Sequence, residues 1–184
     1  MIRYRKATVD GVNLFYREAG APEQPTLVLL HGFPSSSHVY RNLIPALADR
    51  FHVIAPDYPG FGNSDARSPR GFTYTFDRIS ELVEGLLAKL GVDRFGLFIQ
   101  DYGSPVGFGI ATRSPEAIEW IVWGKNNPIL TPEGATAFGR DLPDAEIHLL
   151  DTGHFALEED LETIVDLMQR FYTRDVAAPA TAAA

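Results

Sequence analysis

Short apolar runs, each closed by glycine, proline or an acid, alternate along this 184-residue chain with stretches of helical spacing. The segment RYRKATVDGVNLFYREAG alternates polar and apolar positions about Asp10-Gly11, a pattern that predicts an antiparallel hairpin. TLVLLHGFP, FHVIAP, RFGLFIQD and IEWIVWG then read as strands buried on both faces, and AEIHLLD as a fifth strand. Between them, VYRNLIPALAD, TFDRISELVEGLLAKLG, PVGFGIATRSPEA and PEGATAFGRDLP read as helices. In the second of these Ile79, Leu82, Val83, Leu86, Leu87 and Leu90 recur at three- and four-residue steps, and Gly91 ends it. ALEEDLETIVDLMQRFYT predicts one strongly periodic helix.

This alternation of strand and helix from residue 26 onward predicts an α/β core: a mostly parallel sheet with helices on both faces, preceded by the hairpin. We expect one domain over 1–174 and a disordered Ala/Pro-biased tail over 175–184. In such sheets chemistry collects beyond the carboxyl ends of the strands. The polar clusters obey that rule: His31 to Pro34, Asp57 to Asp65, Asp101 to Gly103, Gly124 to Asn127 and Asp151 to His154 each follow an apolar run.

Composition changes this picture mainly by exclusion. A net charge of −8 argues against nucleic acid or an anionic membrane as partner. The absence of cysteine excludes disulfides, thiol nucleophiles and thiolate metal sites. His38, His52 and His148 lack ligand spacing, so no metal site is expected. No apolar run approaches the ~20 residues of a membrane span, and the N-terminal stretch has no apolar signal core. The expected location is cytoplasmic.

The sharpest chemical question lies in FIQDYGSPVG. An acid stands where a buried strand stops and a helix begins. Asp101 is either a helix cap or a carboxylate nucleophile on a strand–turn–helix elbow, and the local sequence supports both readings. Ser104 lies past the tip of the turn, which disfavours a serine esterase.

Four motifs in order carry a resemblance: LLHGFPSSSHVYRNLIPALA, DYPGFGNSD, FIQDYGSPVG and LLDTGHFALEE. They resemble the oxyanion loop, the following Pro/Gly loop, the aspartate elbow and the histidine segment of the α/β-hydrolase superfamily, within its epoxide hydrolase and haloalkane dehalogenase branch. The resemblance runs from about Val9 to Phe171. It implies a cofactor-free hydrolase in which Asp101 forms a covalent alkyl ester and His154 activates water to cleave it. It also implies that the backbone N–H groups of Phe33 and Tyr102 form an oxyanion hole. His31 is expected to hold the oxyanion turn, and Asp57 and Asp65 to brace their loop. The implied partner is a small apolar organic substrate.

Two departures from the family pattern stand out. The acid of the W-G-x-x-D pattern falls on Asn127 in VWGKNN, an amide that supplies no charge to an imidazolium. In a serine-protease triad the comparable change costs ~10⁴ in turnover. The helical cap and one strand are missing, because SPEAIEWIV runs directly into WGKNN. Tyr102 replaces the halide-binding Trp and Phe33 the dehalogenase Asn, which favours an epoxide hydrolase-like over a haloalkane dehalogenase-like reaction. The competing expectation is a cap-less, weakly active or inactive remnant that binds or oligomerises. On either reading an uncapped apolar face, with Phe33, Tyr102, Ile129 and Phe155 on its rim, invites self-association.

Overall fold

The computed structural model describes residues 1–113, 120–124, 126, 133, 136 and 146–173. The chain opens with strands β1 (Arg3–Val9) and β2 (Val12–Ala19), paired antiparallel in the register Val9↔Val12. The connecting residues Asp10 and Gly11 have φ of 46° and 74°. Two consecutive left-handed residues make the type I′ turn, whose twist matches that of the strands it joins.

Strands β3 (Thr26–Leu30), β4 (His52–Pro56) and β5 (Phe95–Ile99) complete a five-stranded sheet of order β1-β2-β4-β3-β5. β4 runs antiparallel to β2, whereas β3 is parallel to both β4 and β5. Strands β6 (Trp120–Gly124) and β7 (Glu146–Leu150) pair in parallel with each other. Parallel pairings thus predominate, and the antiparallel ones lie at the N-terminal side, as the alternation predicted.

Two cores flank the sheet, because successive side chains of a strand point to opposite faces. Val28, Leu30, Ile54 and Leu97 face the helices α2 (Phe76–Lys89) and α3 (Gly103–Arg113), where Leu82, Leu86, Val106 and Ile110 are fully buried. Leu27, Leu29, Val53 and Phe98 face α1 (Leu43–Leu47) and the C-terminal helices. Each such buried aliphatic side chain contributes about 1.5–3 kcal/mol. Thr75 caps α2 by accepting from Arg78 N–H, and Gly91, at φ 72°, follows its end.

Two expected helices are interrupted. Over 39–49 the chain forms a 3-10 turn, Ser37–Tyr40, and then the short α1. Pro45 has no N–H and suits only the first turn of a new helix. Over 156–173 the single expected helix divides into α4 (Ala156–Glu159) and α5 (Leu161–Phe171). Asp160 takes φ −149° and ψ 59°, and its carboxylate accepts from Thr163 N–H, so a local cap wins over continuation. Of the helix expected over 132–143 only Glu133 and Thr136, both helical, are described, and the tail over 175–184 lies outside the described residues. Among the described residues no helix is long and apolar enough to cross a membrane.

Candidate active site

β5 ends at Ile99, and α3 begins at Gly103. The chain reverses between them through Asp101, whose φ of 52° is left-handed. That conformation costs an L-residue on the order of 1 kcal/mol, and aspartate is among the few that visit it. Gly103 permits the tight approach that follows, since a Cβ there would collide with the Leu30 carbonyl. A Cβ on Gly32 would likewise strike Asp101 Cβ. Both glycines are therefore required by close packing, and they bring the loop after β3 against the turn after β5.

The Asp101 side chain does not cap α3. Its Oδ1 accepts from Tyr102 N–H at 2.7 Å and from Phe33 N–H at 2.8 Å. Oδ2 faces His154 Nε2 at 3.6 Å, longer than a hydrogen bond. The two carboxylate oxygens thus have unlike surroundings: one is held by two backbone donors, and the other turns to an imidazole. Both side chains keep slight solvent access, 14% for His154 and 16% for Asp101. The structure therefore brings Asp101, His154 and the N–H groups of Phe33 and Tyr102 together at the carboxyl end of the sheet. Asn127 lies outside the described residues, as does Ile129. Ser104 occupies the first turn of α3, its N–H donating to the Asp101 carbonyl.

Buried polar groups beneath the site hold its loops. His31 is fully buried. Its Nδ1 lies 3.0 Å from the Gly32 carbonyl, and its Nε2 accepts from Tyr58 N–H at 3.3 Å, so the proton sits on Nδ1. Burial pushes its pKa below the ordinary 6.5, against the Gly32 hydrogen bond and the Asp57 charge, which act to raise it. Asp57, 1% exposed, accepts from Ser37 N–H and Asn63 N–H, each at 2.8 Å, and so ties the loop after β3 to the loop after β4. Asp65 Oδ2 accepts from the Asn13 backbone at 3.0 Å and its side chain at 3.1 Å.

The His154 loop has anchors that the motifs did not reveal. Asn126 donates from its backbone to Thr152 O at 3.0 Å and from its side chain to Asp151 Oδ1 at 2.9 Å. Glu159 Oε2 accepts from Gly153 N–H at 2.8 Å, and Gln100 Nε2 donates to His154 O at 3.4 Å. The Asn126-Asn127 doublet at a strand end was the available signal for Asn126. Glu159 had none, since it reads as an ordinary helix acid. Of the remaining histidines, His52 Nε2 pairs with Glu18 Oε1 at 3.1 Å and His38 Nδ1 lies 3.4 Å from Arg17. No cluster of three or more potential metal ligands occurs among the described residues.

Phe33 and Tyr102, whose N–H groups hold the carboxylate, belong to a row of aromatic rings. Phe33 and Tyr102 lie 5.5 Å apart, Tyr102 and Phe76 5.0 Å, and Phe33 and Phe61 6.4 Å. On the other side Phe155 meets the His154 ring edge-on at 4.9 Å.

Comparison with known proteins places these observations in a lineage. A family model described as alpha/beta hydrolase fold matches residues 25–119. The uncharacterized hydrolase YNR064C of Saccharomyces cerevisiae is 49% identical over 126 residues, 68% of this chain and 43% of that protein. A haloalkane dehalogenase of Bradyrhizobium diazoefficiens is 34% identical over 122 residues, 66% of this chain and 38% of that protein. The solved structure of the epoxide hydrolase CorEH without ligand superposes with a TM-score of 0.61 at 34% identity, covering 67% of this chain and 42% of that one. The matched part is less than half the length of each of these relatives.

Proposed function

Because this chain belongs to the α/β-hydrolase fold family, we propose that it is a hydrolase whose Asp101 attacks an sp³ carbon, that of an epoxide, to form a covalent alkyl ester. The observation that carries this reading is the unlike treatment of the two Asp101 oxygens. Two N–H bonds fix Oδ1 and leave Oδ2 as the nucleophile. Oδ2 bonds to the epoxide carbon, the carbon–oxygen bond of the ring breaks, and the released alkoxide takes a proton from water at the open face. His154 Nε2 then removes a proton from a second water, whose oxygen attacks Asp101 Cγ. Negative charge develops on Oδ1, where the Phe33 and Tyr102 N–H groups already point. Collapse expels the product alkoxide, which takes the proton from His154, and the hydroxide left by the first water takes the proton of the re-formed Asp101 carboxyl, which restores the carboxylate.

A small apolar epoxide fits better than a haloalkane. A departing halide needs donors beside the reacting carbon, and of the Phe33 and Tyr102 side chains the former offers none and the latter only its hydroxyl. With an amide at position 127, ester cleavage is the slower step.

Intact-protein mass spectrometry after incubation with 1,2-epoxybutane tests the reading. One epoxide mass should add to the protein, map to the Asp101 peptide, and accumulate further in His154→Gln. Labelling that survives in Asp101→Ala would sink the nucleophile assignment. No adduct and no diol from the unaltered protein would favour the cap-less remnant, a binding or oligomerising module.

A further inference from the structure

We propose that the aromatic row beside Asp101 is a shelf for an aryl group, so that the preferred substrate is a neutral epoxide bearing a phenyl ring next to the reacting carbon. This rests on the reading of Asp101 as nucleophile and names the substrate class of that site. The row runs Phe61, Phe33, Tyr102, Phe76. Phe33 is 54% exposed, Tyr102 39% and Phe76 38%. Rings of this size left open beside a reactive group are unusual in a soluble chain, where exposed apolar patches mark binding sites.

The shelf is tied to the chemistry by its own backbone. Phe33 and Tyr102 are the residues whose N–H groups hold Asp101 Oδ1, so two of the rings start from the residues that touch the carboxylate. Their geometry suits a flat guest. Phe76 stands at 86° to Tyr102, and Phe61 at 89° to Phe33, so faces and edges are both presented. A ring seated among them finds the edge-to-face and offset contacts that aromatic pairs prefer, and an alkyl chain of equal size gains only the buried area. Such contacts are worth roughly a fivefold to tenfold preference in affinity. A neutral guest is required because Asp101 lies at the foot of the shelf. The nearest basic side chain on the Phe76 helix, Arg78, turns away to Asp10 and Glu81.

The test separates this inference from the reading beneath it. Amide NMR shifts of the full chain, at low salt, would be followed during titration with 1-phenylethane-1,2-diol and with 1-cyclohexylethane-1,2-diol. These ligands have equal heavy-atom counts, and their binding does not depend on reaction. The phenyl diol should bind at least fivefold more tightly and shift the Phe33, Tyr102 and Phe76 amides. Phe76→Leu should erase that preference. Equal affinity for the two diols, or shifts confined to other surfaces, would overturn the shelf. Movement of the same amides with protein concentration alone, and with neither diol, would assign the row to a second copy and also overturn it. Aryl-selective binding with no adduct from any epoxide would remove the nucleophile reading and leave the shelf standing.

Discussion

His31 serves the site without facing the reacting atoms. Its ring stacks on Tyr58 at 4.1 Å and is pinned between a carbonyl and an N–H donor, an arrangement that only the neutral form satisfies. Its folded-state pKa lies below the 6.5 of the free side chain, chiefly through burial. The unfolded chain therefore binds a proton that the folded chain refuses, and stability rises with pH across that interval. The contribution is fully present above about pH 6.5 and is lost as the pH falls through the folded-state value. Urea unfolding at about pH 7.5 and about pH 5.5 should show a larger acid loss for the wild-type chain than for His31→Asn. Equal losses would mean that other groups govern the acid limb.

At the scale of elements, glycines with different reasons for being glycine should fail differently. Gly11 has φ 74° and open space around it, so Gly11→Ala meets a purely conformational cost of about 1 kcal/mol. Labelling of Asp101 should be unaffected. At Gly32, by contrast, a methyl group would come within 2.9 Å of Asp101 Oδ1. Gly32→Ala should slow labelling roughly a hundredfold through displacement of the carboxylate, with a smaller effect on the urea midpoint. Comparable labelling rates in the two variants would contradict the packing argument. The same contrast explains what was legible in sequence. Asp10-Gly11 announces its turn because a local backbone demand selects the residues. The strand-end clusters of Asp101 and His154 were legible because apolar runs stop there. The break at Asp160 was not, because periodicity over 156–173 is unbroken and the capping bond to Thr163 costs nothing in pattern. Glu159 and Gln100 escaped for a related reason: their bonds join segments distant in sequence or hidden in a helix start.

For the whole molecule two tendencies oppose each other. An exposed aromatic face favours pairing of copies, and a net charge of −8 resists it. Charge repulsion is screened within about 10 Å at 0.1 M salt, whereas apolar contact is not weakened by salt. Light scattering should therefore find monomers at low salt and growing association as salt is raised, reduced by the double substitution Phe33→Ser with Phe76→Ser. Association that weakens with salt would point to charged contacts on another surface. Strand order belongs to this scale too. Alternation of helix and strand predicted a mostly parallel sheet, but β1-β2-β4-β3-β5 follows from how each crossover packs, which no single segment encodes.

The fixed Oδ1 of Asp101 has a consequence for the fate of individual atoms. In the proposed cycle the product departs with Oδ2, and the incoming water oxygen arrives from the His154 side to replace it. Oδ1 stays under its two N–H bonds throughout. The carboxylate would then contain one permanent and one renewable oxygen, and it would keep that distinction through every turnover. After many cycles in heavy-oxygen water the Asp101 peptide should hold a single heavy atom. The diol from the first turnover should contain the ordinary oxygen taken from the enzyme. Incorporation of a second heavy atom would mean that the carboxylate flips between turnovers, and that the two backbone donors do not hold it for the lifetime of a cycle.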